Sequence, residues 1–460
     1  MRRFINREAE LKTLNDEYIN KETSFTVIFG RRRTGKTTLI QEFLKNKPSL
    51  YYIADTQNEK IQIQRFQEQL ADTFNDEFFR KLKVENWEII FEYLEKKLKS
   101  DQKFILAIDE FQYLVKSNKN FSSFFQRIYD AKFKEKNIMI IICGSLLSMM
   151  YNEVLSYTSP LYGRRTSQIN LKQIPFKFYQ KFFPEKTKEE LINFYSVTGG
   201  IPKYIEFFYE CKNIFSAIER DILNKNKFLY MEPRFLLHEE VNEVSTYFSI
   251  LDIIADGNHK FNKITDKLGV QTNNLTPFMK KMIELDIVEK KVPITEDNPK
   301  KSKKGLYFIK DNFLKFWFRY VFPNQSYLEI ENRKFVLDKI RSDFKLYVST
   351  VFEDICAEKL WEIKFPFMIK KCGKWWDKNT EIDVVALGEN EIIFGECKWS
   401  KKHIGINILE ELKEKSKQVS WKKNTRKEYF ILFSKSGFSI ELSKLSEKKN
   451  NVFLMDVEDF

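Results

Sequence analysis

Apolar positions along this chain gather into short β-branched runs, separated by longer stretches where they recur at helical spacing. The runs at 25–29, 50–54, 103–109 and 138–143 read as buried strands. Amphipathic helices are predicted between them, at about 61–74, 87–98 and 121–133. Strands alternating with helices, and polar groups at the strands' carboxyl ends, predict a parallel sheet with its ligand at that edge. From residue 241 the pattern changes to three helices (244–255, 260–268 and about 274–285) and a hairpin around the basic loop 297–305, a winged helix-turn-helix. Pro277 belongs in a first helical turn, which puts the start of the third helix near 273–274. The dense aromatic run 313–322 reads as core, and 323–326 as a hinge. Beyond it a helix (344–360) precedes two strands, 381–387 and 391–399, joined by a turn at 388–390.

The chemistry sits where these runs end. Behind the first strand comes Gly30, then Arg31 to Thr34, then Gly35-Lys36-Thr37-Thr38, the G-x-x-x-x-G-K-T spacing of a phosphate-binding loop. The glycines let backbone N–H groups turn toward phosphate oxygens; Lys36 supplies a cation, and Thr37 a hydroxyl for Mg2+. Gly30, Arg33, Thr34, Gly35, Lys36, Thr37 and Thr38 are therefore candidate nucleotide contacts. Asp109-Glu110 closes the third strand: Asp109 is placed to hold the Mg2+ shell, and Glu110 to orient and deprotonate the attacking water. Ser145, after the next strand, is a candidate γ-phosphate sensor, with a simple strand-end turn as the alternative.

In the last segment, period-two alternation puts Glu396 and Lys398 on one strand face, and the preceding strand brings Asp383 alongside. Asp383 and Glu396 are expected to share a divalent cation, Mg2+ or Mn2+. Glu353 from the helix completes the shell, and Lys398 stabilises or deprotonates the attacking water. The alternative is a degenerate site kept as a binding module.

Several runs carry a family resemblance. FINREAEL (4–11), GSLLSMMYNEVLSYTSPLYGRRT (144–166) and YSVTGGIPKYI (195–205) resemble prokaryotic, archaeal-type P-loop ATPases of the AAA+/STAND group. The resemblance implies ATP as ligand, Arg164 and Arg165 as candidate arginine finger or γ-phosphate sensor, and Pro202 as part of a lid against the base. The D…ExK pattern resembles the PD-(D/E)XK restriction-endonuclease-like fold, and the tail is similar to a domain of unknown function attached to such ATPases.

The expectation is a multidomain α/β protein: P-loop ATPase core (1–170), helical lid (171–235), winged helix-turn-helix (236–325) and nuclease-like α/β domain (326–460). Its nucleotide state would control a Mg-dependent, nucleic-acid-binding tail. The alternative is a nucleotide-driven switch with an inactive protein- or DNA-binding tail. Composition narrows this only slightly. Among 460 residues, 78 Lys and Arg against 65 Asp and Glu give a net charge of +13, which permits DNA or RNA as partner. Five scattered cysteines without a C-x-x-C pair speak for reduced thiols, a cytoplasmic setting and no zinc site. No apolar run approaches a membrane span. A homo-oligomer is expected if an arginine finger acts between subunits.

Overall fold

The computed structural model describes residues 4–460, and the chain divides into two compact units. The first holds residues up to Ile174 together with Ile201–Lys203; the second holds Pro175–Gly200 and Tyr204–Phe460. Apart from 171–174 and 201–203, the lid, winged-helix and tail segments that the sequence sets apart fall in one unit.

The first unit is built on five parallel strands: β1 (Ser24–Phe29), β2 (Ser49–Ile53), β3 (Phe104–Asp109), β4 (Ile138–Gly144) and β5 (Ser167–Asn170). Their order is β2-β3-β4-β1-β5. Every residue of β1, β3 and β4 is buried, as expected of central parallel strands covered by helices on both faces. On one face Leu14 of α1 (Glu8–Ile19) and Leu39, Ile40 and Phe43 of α2 (Lys36–Leu44) pack on Ile28, Ile105 and Ile141. On the other, Phe25, Phe91, Phe111 and Phe121 surround Phe125. β4 lies between β1 and β3, so Gly30, Glu110 and Ser145 come to the same sheet edge.

In the second unit, helices Val244–Ala255, Phe261–Leu268 and Thr272–Glu284 precede an antiparallel ribbon of β6 (Val288–Lys291) and β7 (Leu306–Ile309). The third helix starts before the predicted 273–274, leaving Pro277 its sixth residue. Pro277 then cannot donate to the carbonyl four residues back. Segment 323–326 is no open hinge: it continues the helical path from Trp317 to Glu329, and Asn324 Nδ2 donates to the carbonyl of Tyr320 (2.8 Å). Burial sets this path, because Trp317 and Phe318 are fully enclosed and the Trp317 indole donates to the Tyr230 carbonyl (2.9 Å). The next helix, Arg333–Lys359, begins well before the predicted 344. Its Tyr347 hydroxyl donates to the Ser196 carbonyl (2.8 Å).

The last sheet is mixed, ordered β12-β11-β10-β9-β8. β8 (Lys371–Trp376), β9 (Glu381–Leu387) and β10 (Glu391–Lys398) are antiparallel; β11 (Lys427–Ser434) and β12 (Val452–Asp456) run parallel to β10. Among the described residues no helix is long and apolar enough to cross a membrane.

Candidate functional site

The phosphate loop is held open by backbone rather than by side-chain bulk. Gly30 (φ +150°) passes so close to Leu171 that a β-carbon there would sit 2.5 Å from its carbonyl oxygen. Gly35 (φ +93°) opens α2, and Arg33 also takes a left-handed φ of +70°. Thr34 Oγ1 donates to the Arg31 carbonyl (2.9 Å), which tightens the turn. Lys36 is buried and donates to the carbonyls of Gly30 (2.9 Å) and Arg31 (2.8 Å); burial lowers its pKa. Thr38 sits half-buried in the first turn of α2, whose free N–H groups suit an anion. Pro202 reaches this loop, with its Cγ 4.0 Å from the place a β-carbon would take on Gly35.

Across from the loop, Asp109 is buried at the end of β3. Its Oδ2 accepts from Thr37 Oγ1 (2.7 Å) and from the Tyr51 hydroxyl (2.8 Å). Glu110 adopts φ +54°, a cost of roughly 1–3 kcal/mol for a non-glycine residue. Its Oε2 accepts from Ser145 Oγ (2.7 Å) and from Gln112 Nε2. Ser145 is thus brought to the site as a partner of Glu110. Three contributors escaped the sequence reasoning. Tyr51 and Gln112 are silent until the strands are laid side by side. Buried Arg7 donates to the carbonyls of Thr34 (3.0 Å) and Lys172 (2.9 Å), bracing the loop from behind; only its place in the 4–11 motif hinted at it.

Arg164 and Arg165 lie elsewhere. The adjoining Thr166 N–H bonds to the carbonyl of Phe25, at the end of β1 away from Gly30. Arg164 pairs with Asp130 (2.8 Å), while Arg165 donates to the Leu155 carbonyl (3.4 Å) and stacks over Tyr162. A strand length of roughly 17 Å at ~3.3 Å per residue separates them from the loop of their own chain. The β5 register thus carries both arginines to the far end of β1 from the loop of their own chain.

In the second unit, Glu353 from the long helix meets Asp383 from β9 as expected, but the third partner is Glu381. One oxygen of each lies within 4.8 Å of the others. Asp383 is pushed up to about 7, by burial first, then by Glu353 and Glu396; burial also raises Glu353. Glu353 pairs with Lys374. The predicted sharing of one cation by Asp383 and Glu396 is modified here. Glu396 adjoins Asp383 across the strands, yet Lys398 (2.6 Å) and Lys415 (2.9 Å) hold its two oxygens. Asp383 Oδ2 also accepts from the Cys397 N–H (2.9 Å). Burial works against the charge of Lys398, but Glu396 outweighs it and raises the pKa. The raised pKa favours the ammonium form of Lys398, which suits it to stabilising negative charge.

Comparison with known proteins fits this geometry. Residues 4–208 match an ATPase domain family found predominantly in Archaea, and residues 317–419 match a family of archaeal and bacterial proteins of unknown function. An uncharacterized Methanocaldococcus jannaschii protein is 38% identical over 467 positions, spanning 99% of this chain and 100% of its own length. A second protein of that organism, an uncharacterized ATP-binding protein, is 43% identical over 44 residues, 10% of this chain and 75% of that one. Among solved structures, a Walker-type ATPase of Pyrococcus abyssi superposes with a TM-score of 0.52 at 22% identity. The superposition covers 69% of this chain and 96% of that one.

Proposed function

This chain belongs to the archaeal-type ATPase family, and on that premise we propose an ATP-hydrolysing protein whose nucleotide state governs a metal-dependent, nuclease-like tail. The loop residues suit a triphosphate with Mg2+, since the Thr37 hydroxyl and Asp109 carboxylate are hard oxygen donors already 2.7 Å apart. When bound, Mg2+ neutralises charge on the phosphates. Lys36 exchanges the Gly30 and Arg31 carbonyls for phosphate oxygens. Glu110, once released by Ser145 and Gln112, accepts the proton of the attacking water. Arg164 and Arg165 serve a neighbouring copy, which makes the active species a homo-oligomer.

Coupling to the tail rests on Pro202. Residues 201–203 belong with the ATPase unit, whereas Gly200 and Tyr204 on either side belong to the second. A shift at Gly35 is therefore passed covalently along the chain. For the tail, the convergence of Glu353 and Asp383 with Glu381 supports a site for Mg2+ or Mn2+, with Lys398 as the stabilising cation and DNA or RNA as substrate. The three helices and ribbon then act as a winged helix. A second reading, an inactive binding module worked as a switch, draws on Glu396, whose oxygens are already neutralised by two lysines. Lys36→Ala should abolish ATP turnover, and Asp383→Asn should abolish nucleic-acid cleavage while leaving turnover intact. Full biological function in Asp383→Asn would favour the switch.

A further inference from the structure

One cation of the second unit stands apart from the ion pairs around it. Lys315, on the helix Asn312–Phe316, donates to Thr350 Oγ1 (2.7 Å), and that hydroxyl passes its own proton to the Tyr347 carbonyl (2.9 Å). Its cationic neighbours are matched: Lys291 with Asp354 (2.8 Å), Lys374 with Glu353, Arg319 with Asp343 (2.6 Å). Among the described residues, no such carboxylate partner lies on Lys315. Burial pushes its pKa down to about 8, with Asp354 opposing. Lys315 is half-buried, with its Nζ 5.8 Å from the centroid of the Tyr347 ring; a partly desolvated charge without an ion-pair partner is kept only where something compensates it.

Lys315 faces a cavity of about 390 Å³, and Glu353 and Glu381 of the carboxylate group line the same space. Apolar groups also line it, among them Leu306, Leu346 and a Phe308 ring stacked 4.2 Å from His259. That volume falls at the small end of ligand pockets, roughly 300–1,000 Å³. Recognition of a duplex instead spreads over about 1,000–2,500 Å² of open protein surface. A single strand is different, because its bases splay apart and enter one at a time. A phosphodiester carries one negative charge and would give Lys315 the ion-pair partner it lacks among the described residues.

We propose that this cavity seats one nucleotide of a single-stranded nucleic-acid end, with Lys315 as the contact for its phosphodiester. The inference rests on the nuclease-like reading of the tail, and it restricts the substrate of that site to frayed, overhanging or single-stranded ends.

The test is competitive acetylation of the full-length protein in EDTA, read by mass spectrometry, with exposed Lys12 and Lys119 of the first unit as internal references. The probes are a thymidine octanucleotide, a blunt duplex and thymidine monophosphate. The octanucleotide should protect Lys315 selectively, and the other two should not. Lys315→Met should weaken octanucleotide binding roughly tenfold, the loss of one charge-assisted hydrogen bond, and Lys315→Arg should restore much of it. Equal protection by the duplex, protection by the mononucleotide alone, or unchanged acetylation with the strand bound would each overturn the inference. Because the footprint needs no metal, absent cleavage in Mg2+ would count against the nuclease reading only. Cleavage with Lys315 unprotected would count against this inference only.

Discussion

Replacing Gly30 by alanine tests the loop geometry at one atom. The added β-carbon would stand 2.5 Å from the carbonyl oxygen of Leu171 and 3.3 Å from its carbon and nitrogen, all backbone atoms that no rotamer change can move. Alanine must also adopt φ +150°, a conformation that costs about 1–3 kcal/mol. Overpacking against a fixed backbone adds about 1–3 kcal/mol. The sum, about 2–6 kcal/mol, lowers the melting temperature of a unit this size on the order of 10 °C. Binding suffers too, because Lys36 hangs on the Gly30 carbonyl and must shift with it. Thermal melts with and without ATP, beside titration with a fluorescent nucleotide, read both effects. Gly163→Ala is the control: a β-carbon there meets nothing within 4 Å, and stability should stay within about 0.5 kcal/mol. A Gly30→Ala protein that melts and binds like wild type would refute the close approach to Leu171.

Glu110→Gln should retain ATP and lose turnover by roughly 10²–10⁴-fold, seen by running binding and turnover assays together; undiminished turnover would remove Glu110 from the chemistry. Asp383, with a folded value of about 7 against 3.8 unstructured, favours the fold at low pH and gives that up as pH rises to 7. Its carboxylate must be bare to hold a cation, so Mn2+ affinity should fall about tenfold per pH unit below 7, and Mn2+ should raise the melting temperature more at pH 8 than at pH 6. A calorimetric titration that is flat across this range would exclude Asp383 as a ligand. Mixing Arg164→Ala or Arg165→Ala protein with Lys36→Ala protein should restore part of the turnover that each lacks alone; no recovery would leave these arginines with Asp130 and Tyr162 as their whole role.

The loop, β3 and β4 were legible because central parallel strands are apolar on both faces and end in their chemistry. β5 was not: SQIN is a short edge strand with only Ile169 buried, so it carries no apolar signature. That omission hid where Arg164 and Arg165 fall, since their position is fixed by the pairing of β5 with β1. In the tail, period two placed Glu396 beside Lys398 correctly, and the pairing of β9 with β10 brought Asp383 alongside. Glu381 was missed because it shares a strand face with Asp383 yet sits outside the D…ExK spacing. Long-range partners such as Tyr51 on Asp109 and Arg7 on Thr34 leave no trace in local sequence, because each bond is made by the fold.

The central claim is that the ATPase governs a nuclease-like tail. It is tested most directly by incubating labelled single- and double-stranded DNA and RNA with Mg2+ or Mn2+, with and without ATP. Wild type, Lys36→Ala and Lys398→Ala would be run side by side. Cleavage that responds to ATP in the wild type, ignores ATP in Lys36→Ala and vanishes in Lys398→Ala is the predicted result. ATP turnover without cleavage of any substrate, or cleavage that persists in Lys398→Ala, would contradict it.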